Sequence, residues 1–190
     1  TGATGYIADQ MLPTFRDRYE TVLVDTREEN RRGEPVCGLH VADLSDPDNG
    51  KYIDLFNEVD AVVHLAYMRR IGKPIDHFET EKKNVEMAYN VLRASYESGV
   101  RRVVMASSNH AADWYEHALI HSRKLDQIRP YDLPLSDNFY GWAKASYEHL
   151  GFVFACGAMG ECEDGASGNL VSGALGTSRK MGVVMVRIGA

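Results

Sequence analysis

Short, nearly unbroken apolar runs alternate along this chain with longer stretches of helical period. Four runs are clear: Thr21-Val22-Leu23-Val24-Asp25, Ala61-Val62-Val63-His64-Leu65-Ala66, Arg102 to Ser108, and Val183 to Ile188. They are rich in β-branched residues, as strands covered on both faces are. A weaker strand is expected over Val36 to Val41, just ahead of Asp43. Between the strands, Ile7 to Arg18 and Tyr140 to Ala155 read as helices, and Tyr52 to Asn57 as a short one. Glu79 to Ser98 is a longer amphipathic helix that gathers Val85, Ala88, Val91, Leu92 and Ser95 on one side, with Gly99 as its C-cap. With one further strand expected ahead of Thr1, the order is β-α-β-β-α-β-α-β-α-β. That order predicts an α/β fold, a doubly wound, Rossmann-like parallel sheet.

Two features stand outside the pattern. The stretch 157–182 is rich in Gly, Ser and Ala and has no sustained period, so it is expected to be a flexible surface insertion in a single 1–190 domain. Both ends read as cut: a glycine-rich turn at Thr1 calls for a preceding strand, and the chain stops directly after an apolar run. The expectation is therefore a domain truncated at both ends.

Composition narrows the partners. Hydrophobic residues at 44% and charged residues at 25% are ordinary for a soluble globular domain. A net charge of −6 supplies no electrostatic attraction to nucleic acid or to an anionic membrane, and neither is expected as a partner. No apolar run approaches the ~20 residues that cross a bilayer. Cys37, Cys156 and Cys162 are odd in number and lack metal spacing, so reduced thiols and a cytoplasmic location are expected.

The chemistry is carried by two motifs about 135 residues apart. At the start, Gly2, Gly5 and Ala8 occupy the small positions of a Gly-x-x-Gly-x-x-Gly/Ala turn. Such a turn brings backbone N–H groups to a pyrophosphate at a helix N-terminus. Asp25 ends a strand about 20 residues later, where an acid accepts hydrogen bonds from ribose hydroxyls. A carboxylate there repels a 2′-phosphate, so NAD is favoured over NADP, although Arg27 nearby softens the preference. At the other end, Tyr140 and Lys144 lie four residues apart on one helix face. An ammonium beside a phenol favours the phenolate, which suits proton exchange with a substrate hydroxyl.

Other positions fall at strand ends, where open α/β sheets bind ligands. Asp43 and Leu44 are candidates for the adenine edge, with a turn or N-cap as the simpler reading of Asp43. Leu65 and the small Ala66 are candidates for backbone contact with the cofactor, and His64 is expected to be packed, not catalytic. Ser107 and Ser108 end the third clear strand, with Asn109 and His110 facing the substrate. His110, His117 and His121 have no matching acidic or Cys set, so no metal is expected. Trp114 and Tyr115 read as a lid or packing pair.

Together these marks resemble the extended short-chain dehydrogenase/reductase family, also called the NAD-dependent epimerase/dehydratase family. They are Thr1-Gly2-Ala3-Thr4-Gly5-Tyr6-Ile7-Ala8, Asp25, Asp43-Leu44, His64-Leu65-Ala66, Asn84-Val85 with Asn90-Val91-Leu92, Ser107-Ser108, and Tyr140 with Lys144. Ser-Ser-Asn-His and Arg187-Ile188-Gly189 look most like its uronate dehydrogenase branch. The resemblance implies that Tyr140 is the acid/base, that Lys144 holds the nicotinamide ribose and tunes Tyr140, and that Ser108 orients the substrate hydroxyl. It implies cofactor contacts at Gly2, Gly5, Tyr6, Ile7, Asp25, Asp43, Leu44, Leu65, Ala66, Asn84, Tyr140 and Lys144. It also implies a small C-terminal substrate lobe beginning where this chain ends, and a homodimer through the helices 79–98 and 140–155. The expected function is NAD-dependent oxidation of a sugar or sugar acid. Alternatives are a nucleotide-sugar 4-epimerase or dehydratase, against which Asn109 and His110 stand in place of acids, and a non-catalytic NAD-sensing protein.

Overall fold

The computed structural model describes residues 1–156 and 181–189. Among these, five parallel strands form two groups: β1 (Leu23–Asp25) beside β2 (Leu39–Val41), and β3 (Ala61–His64), β4 (Arg102–Ser108) and β5 (Gly182–Ile188) in that spatial order. The chain's first residues lie between the groups. The Thr1 nitrogen donates to Val63 O at 2.8 Å, Leu65 N donates to Thr1 O at 3.1 Å, and Ala3 N donates to Val24 O at 3.2 Å. Thr1–Ala3 thus fill the slot between β1 and β3, where strand order reverses in a Rossmann-like sheet and where such sheets bind ligands.

Among the described residues, four α-helical segments accompany the strands: α1 (Tyr6–Arg18), α2 (His77–Glu97), the short α3 (Asp113–Tyr115) and α4 (Phe139–Ala155). Helices α2 and α4 pack on each other and on the β3–β4–β5 sheet, where Val103 and Met105 meet Ala88, Val91, Leu92, Tyr147 and Phe154 in one core. Each large apolar side chain buried there contributes roughly 1.5–3 kcal/mol. The polar Ser95 on the same stripe is satisfied by donating to Val91 O at 2.7 Å. Gly99 turns the chain at φ +76°, and Val100 N closes back on Ser95 O at 2.9 Å, the left-handed helix stop expected of it.

The structure departs from two expectations and fills one gap. The short helix over Tyr52–Asn57 is two 3-10 turns, Asn49–Lys51 and Ile53–Phe56, anchored by buried Tyr52 and Phe56. A segment this short gains too little from α-type hydrogen bonds to offset nucleation. Among the described residues, strand β5 is covered on one face only: Val184 and Val186 are 56% and 43% exposed, and no described helix lies over that side. The stretch after β4, unassigned from the sequence, coils through a 3-10 turn (Asn109–Ala112), α3 and a π turn (Glu116–Ile120). The expected insertion 157–182 lies outside the described residues except for Met181, which is buried in the core, and Gly182, which opens β5. Among the described residues, no helix is long and apolar enough to cross a membrane.

Candidate active site

The glycine turn is shaped by packing as much as by ligand access. Gly2 sits at φ +71°, and a Cβ on it would lie 2.5 Å from Ala66 N and 2.7 Å from the Leu65 carbonyl carbon. The exit of β3 at Leu65 and Ala66 therefore presses on the turn itself. Gly5 is the N-cap of α1, its N–H bonded to Gly2 O at 3.0 Å, and no side chain caps the first turn of the helix. Tyr6 is exposed, Ile7 half-buried and Ala8 buried there. Uncapped N–H groups at the positive end of a 13-residue helix form a cradle suited to phosphate. The residues present thus fit a dinucleotide.

Asp25, at the end of β1, is tied into this turn. Its Oδ2 accepts from Thr4 N at 2.9 Å and Thr4 Oγ1 at 2.8 Å, and its Oδ1 accepts from Thr26 N at 2.7 Å. A carboxylate offers about four acceptor positions, which leaves capacity for a ribose hydroxyl. Arg27 reaches the same corner, donating to Thr4 Oγ1 at 3.4 Å.

Three further positions expected at the cofactor, Asp43, Leu44 and Asn84, make contacts within the chain. Asp43 Oδ1 closes a turn on Ser45 N at 2.9 Å and Ser45 Oγ at 2.6 Å, and Leu44 is buried in the core. Asn84, expected at the cofactor, has no exposed surface. Its Oδ1 accepts from Met68 N at 2.7 Å and its Nδ2 donates to Met68 O at 3.0 Å, so it straps the loop after β3 and touches that loop, not open space. His64 is packed as expected. Burial holds its imidazole well below the usual histidine range, and Nδ1 meets Thr1 Oγ1 at 2.8 Å.

The reactive rim lies at the end of β4. Lys144 is buried, and its Nζ donates to Ala106 O at 2.8 Å while sitting 5.8 Å from the Tyr140 ring centroid. Burial lowers its pKa to about 8, and the Glu81 carboxyl partly opposes that shift. Ser108 is buried two residues further along β4; its Oγ donates to Asn109 Oδ1 at 3.2 Å and accepts from His110 N at 3.3 Å. The His110 ring stands edge-on to Tyr140 at 5.3 Å. Ser108, Asn109, His110, Tyr140 and Lys144 are thereby gathered in one place. Gly141 makes this docking feasible: a Cβ on it would fall 1.9 Å from His110 O.

Several residues at the rim carry no local signal strong enough to be named from the sequence. Asp113, buried, accepts from His110 Nδ1 at 2.5 Å and from Asn138 Nδ2 at 3.0 Å, and Asn138 Oδ1 caps α4 at Gly141 N. Its spacing of three from His110 within a helical turn is the only hint. Glu148, two turns beyond Tyr140, is gripped by Arg187 of β5 through two 2.8 Å contacts and by Ser107 Oγ at 2.7 Å. Burial would raise the Glu148 carboxyl, but these donors outweigh it and hold the group below the usual range. The pair lines a cavity of about 420 Å³ together with Asn109, Arg129 and Met185. Trp114 and Tyr115 pack edge-to-face on each other, and His117 pairs with Asp137 at 2.5 Å.

Comparison with known proteins agrees with this geometry. A model of the NAD dependent epimerase/dehydratase family matches residues 1–154. The NAD-dependent glucose-6-phosphate dehydrogenase of Haloferax volcanii is 30% identical over 163 residues, covering 80% of this chain and 60% of that protein. A solved structure described as a mutated uronate dehydrogenase aligns at 25% identity and TM-score 0.63, covering 80% of this chain and 51% of its own. A UDP-galactose 4-epimerase structure aligns at 30% identity and TM-score 0.59, covering 81% and 50%. The chain thus spans 60% of the length of that curated relative and about half of each solved chain. Because the family match runs from the glycine turn through the helix that bears Tyr140 and Lys144, the chain belongs to the NAD dependent epimerase/dehydratase family.

Proposed function

We propose that this chain carries the catalytic core of an NAD-dependent dehydrogenase that oxidises a sugar or sugar acid, in the manner of a uronate dehydrogenase. The observation that carries the reading is the buried Lys144 ammonium on Ala106 O, beneath Tyr140 and beside Ser108 on the same strand end. Gly2, Gly5, the first turn of α1 and Asp25 would hold the dinucleotide, which when bound supplies the hydride acceptor. Tyr140 takes the proton of the substrate hydroxyl, Lys144 stabilises the charge that develops on the phenol oxygen, and the Ser108 hydroxyl orients the reacting oxygen. Asn109 and His110 face the substrate. The names of the dehydrogenases to which the chain is similar support this choice of chemistry.

A 4-epimerase is the second reading, favoured by the 30% identity to the UDP-galactose 4-epimerase structure. Asn109 and His110, in place of acids after Ser108, weigh against a dehydratase. A pure NAD sensor would have no need to bury Lys144. The deciding assay is NADH formation with D-glucuronate, D-galacturonate, glucose 6-phosphate, L-arabinose and UDP-sugars. Net NADH with a free sugar or sugar acid supports the dehydrogenase; interconversion of UDP-sugars without net NADH overturns it.

Two features of the surroundings belong to the same proposal. Helices α2 and α4 expose Tyr89, Phe152 and Val153, which suits a homodimer through these helices, and sedimentation equilibrium tests it. Exposed Cys37 and half-buried Cys156, both free thiols, suit a reducing cytoplasm.

A further inference from the structure

The apolar stripe of α2 contains one acid, Glu81, in register with Asn84, Ala88, Val91, Leu92 and Ser95, and it has no exposed surface. A carboxyl group on a buried stripe conflicts with the local pattern, and such conflicts concentrate at functional sites. Burial of this kind is sustained only by donors. Glu81 has three: Tyr67 Oη donates to Oε1 at 2.7 Å, Asn84 Nδ2 donates to Oε2 at 3.2 Å, and Arg70 Nε lies 3.6 Å from Oε1.

Two of those donors reach Tyr140. The Tyr67 ring meets the Tyr140 ring edge-on at 5.5 Å, and the Arg70 guanidinium carbon stands 4.8 Å from the Tyr140 centroid. Lys144 Nζ is 5.3 Å from the Tyr67 ring and 5.8 Å from that of Tyr140. Arg70 belongs to a loop and is itself exposed, so its place over the ring depends on what holds its other side.

We propose that Glu81 is a positioning residue: it fixes Tyr67 and Arg70 as a clamp around the Tyr140 ring. This rests on the reading of Tyr140 as the acid/base. Glu81 touches neither substrate nor cofactor and acts through the two side chains it holds. The burial and the bond to Glu81 that push the Tyr67 phenol well above its usual range keep that group a donor.

The experiment has two arms, using Glu81→Gln, Arg70→Met and the double variant. In the first, the protein is labelled with ¹³Cε tyrosine, and the Tyr140 signal is identified as the one missing in Tyr140→Phe. The clamp predicts that this signal shifts in both single variants and shifts no further in the double. In the second, kcat for the sugar found in the substrate panel falls by about tenfold to 10²-fold, as expected for a misplaced reacting group, while KM for NAD stays unchanged. Arg70→Met leaves the core intact and so separates the clamp from loss of folding. Equal effects that simply add in the double variant would mean independent sites, and an unmoved Tyr140 signal with unchanged kcat would mean no clamp; either result overturns the proposal. Undiminished turnover in Tyr140→Phe sinks the acid/base reading instead, and the spectroscopic arm still decides the clamp.

Discussion

Gly141→Ala sets two effects of known size against each other. In a helix interior, Ala is favoured over Gly by about 1 kcal/mol, so helix propensity alone predicts stabilisation. The structure predicts the opposite. The new Cβ would lie 1.9 Å from His110 O, 2.7 Å from the His110 carbonyl carbon and 2.1 Å from Ser136 Oγ. Ser136 can rotate away, but His110 O is backbone. Restoring even a tight 3.0 Å contact moves α4 back by about 1.1 Å. Overpacking of this kind costs about 1–3 kcal/mol, which against that gain leaves a net loss of up to about 2 kcal/mol and a Tm lower by up to roughly 8 °C for a chain this size. The displaced helix carries Tyr140, so turnover should fall by about 10²-fold. The control is Gly151→Ala on the same helix. There the Cβ meets Met185 Cε at 2.1 Å and Val183 Cγ1 at 2.9 Å, both side-chain atoms, and methionine yields readily. Calorimetry and NADH formation should find Gly151→Ala close to the parent in both stability and rate. A Gly141→Ala protein as stable and active as the parent would refute the docking argument.

Tyr140→Phe should lower turnover by about 10²-fold or more with little change in NAD affinity by calorimetry; near-normal turnover would place the acid/base elsewhere. Titration should show NAD binding more tightly than NADP, with Asp25→Asn narrowing the gap; equal binding by the parent would remove Asp25 from the ribose. Lys144→Met should abolish turnover yet stabilise the fold at pH 7. The unfolded chain keeps this proton up to about 10.5 and the folded chain releases it near 8, so the folded state carries a penalty of about 3 kcal/mol below pH 8 that fades as pH rises towards 10.5. Losing the bond to Ala106 O offsets about 1 kcal/mol of the gain, and the difference in Tm between variant and parent should shrink between pH 8 and 10. Arg187→Met should destabilise by about 2 kcal/mol by stranding Glu148, and the double variant with Glu148→Leu should recover part of that loss in urea melts. Because Glu148 is held below its usual range, its contribution is present above pH about 4.5 and is lost as the solution is acidified below that.

Much of the framework is local and was therefore readable from the chain. Strand β4 occupies the Arg102–Ser108 run itself, and α2 and α4 start within two residues of their expected positions, because period and β-branching act over a few neighbours. Gly99 stops its helix for the same reason, since a left-handed residue is a property of one position. Tyr140 and Lys144 share a face because a helix puts residues four apart together. What depended on tertiary structure has no period to betray it. Gly2 and Gly141 must be glycine because backbone from distant parts of the chain, Ala66 and His110, fills the space of a Cβ. Asn84 straps Met68 through two hydrogen bonds because the loop after β3 folds back over α2. The Glu148–Arg187 pair and the meeting of Glu81, Tyr67 and Arg70 around Tyr140 join residues 11 to 73 positions apart. The exposure of Val184 and Val186 among the described residues likewise reflects what packs beside a strand, which the strand's own residues do not encode. Such contacts are created by the closing of the fold, where many weak local preferences are overruled by a few dense long-range ones.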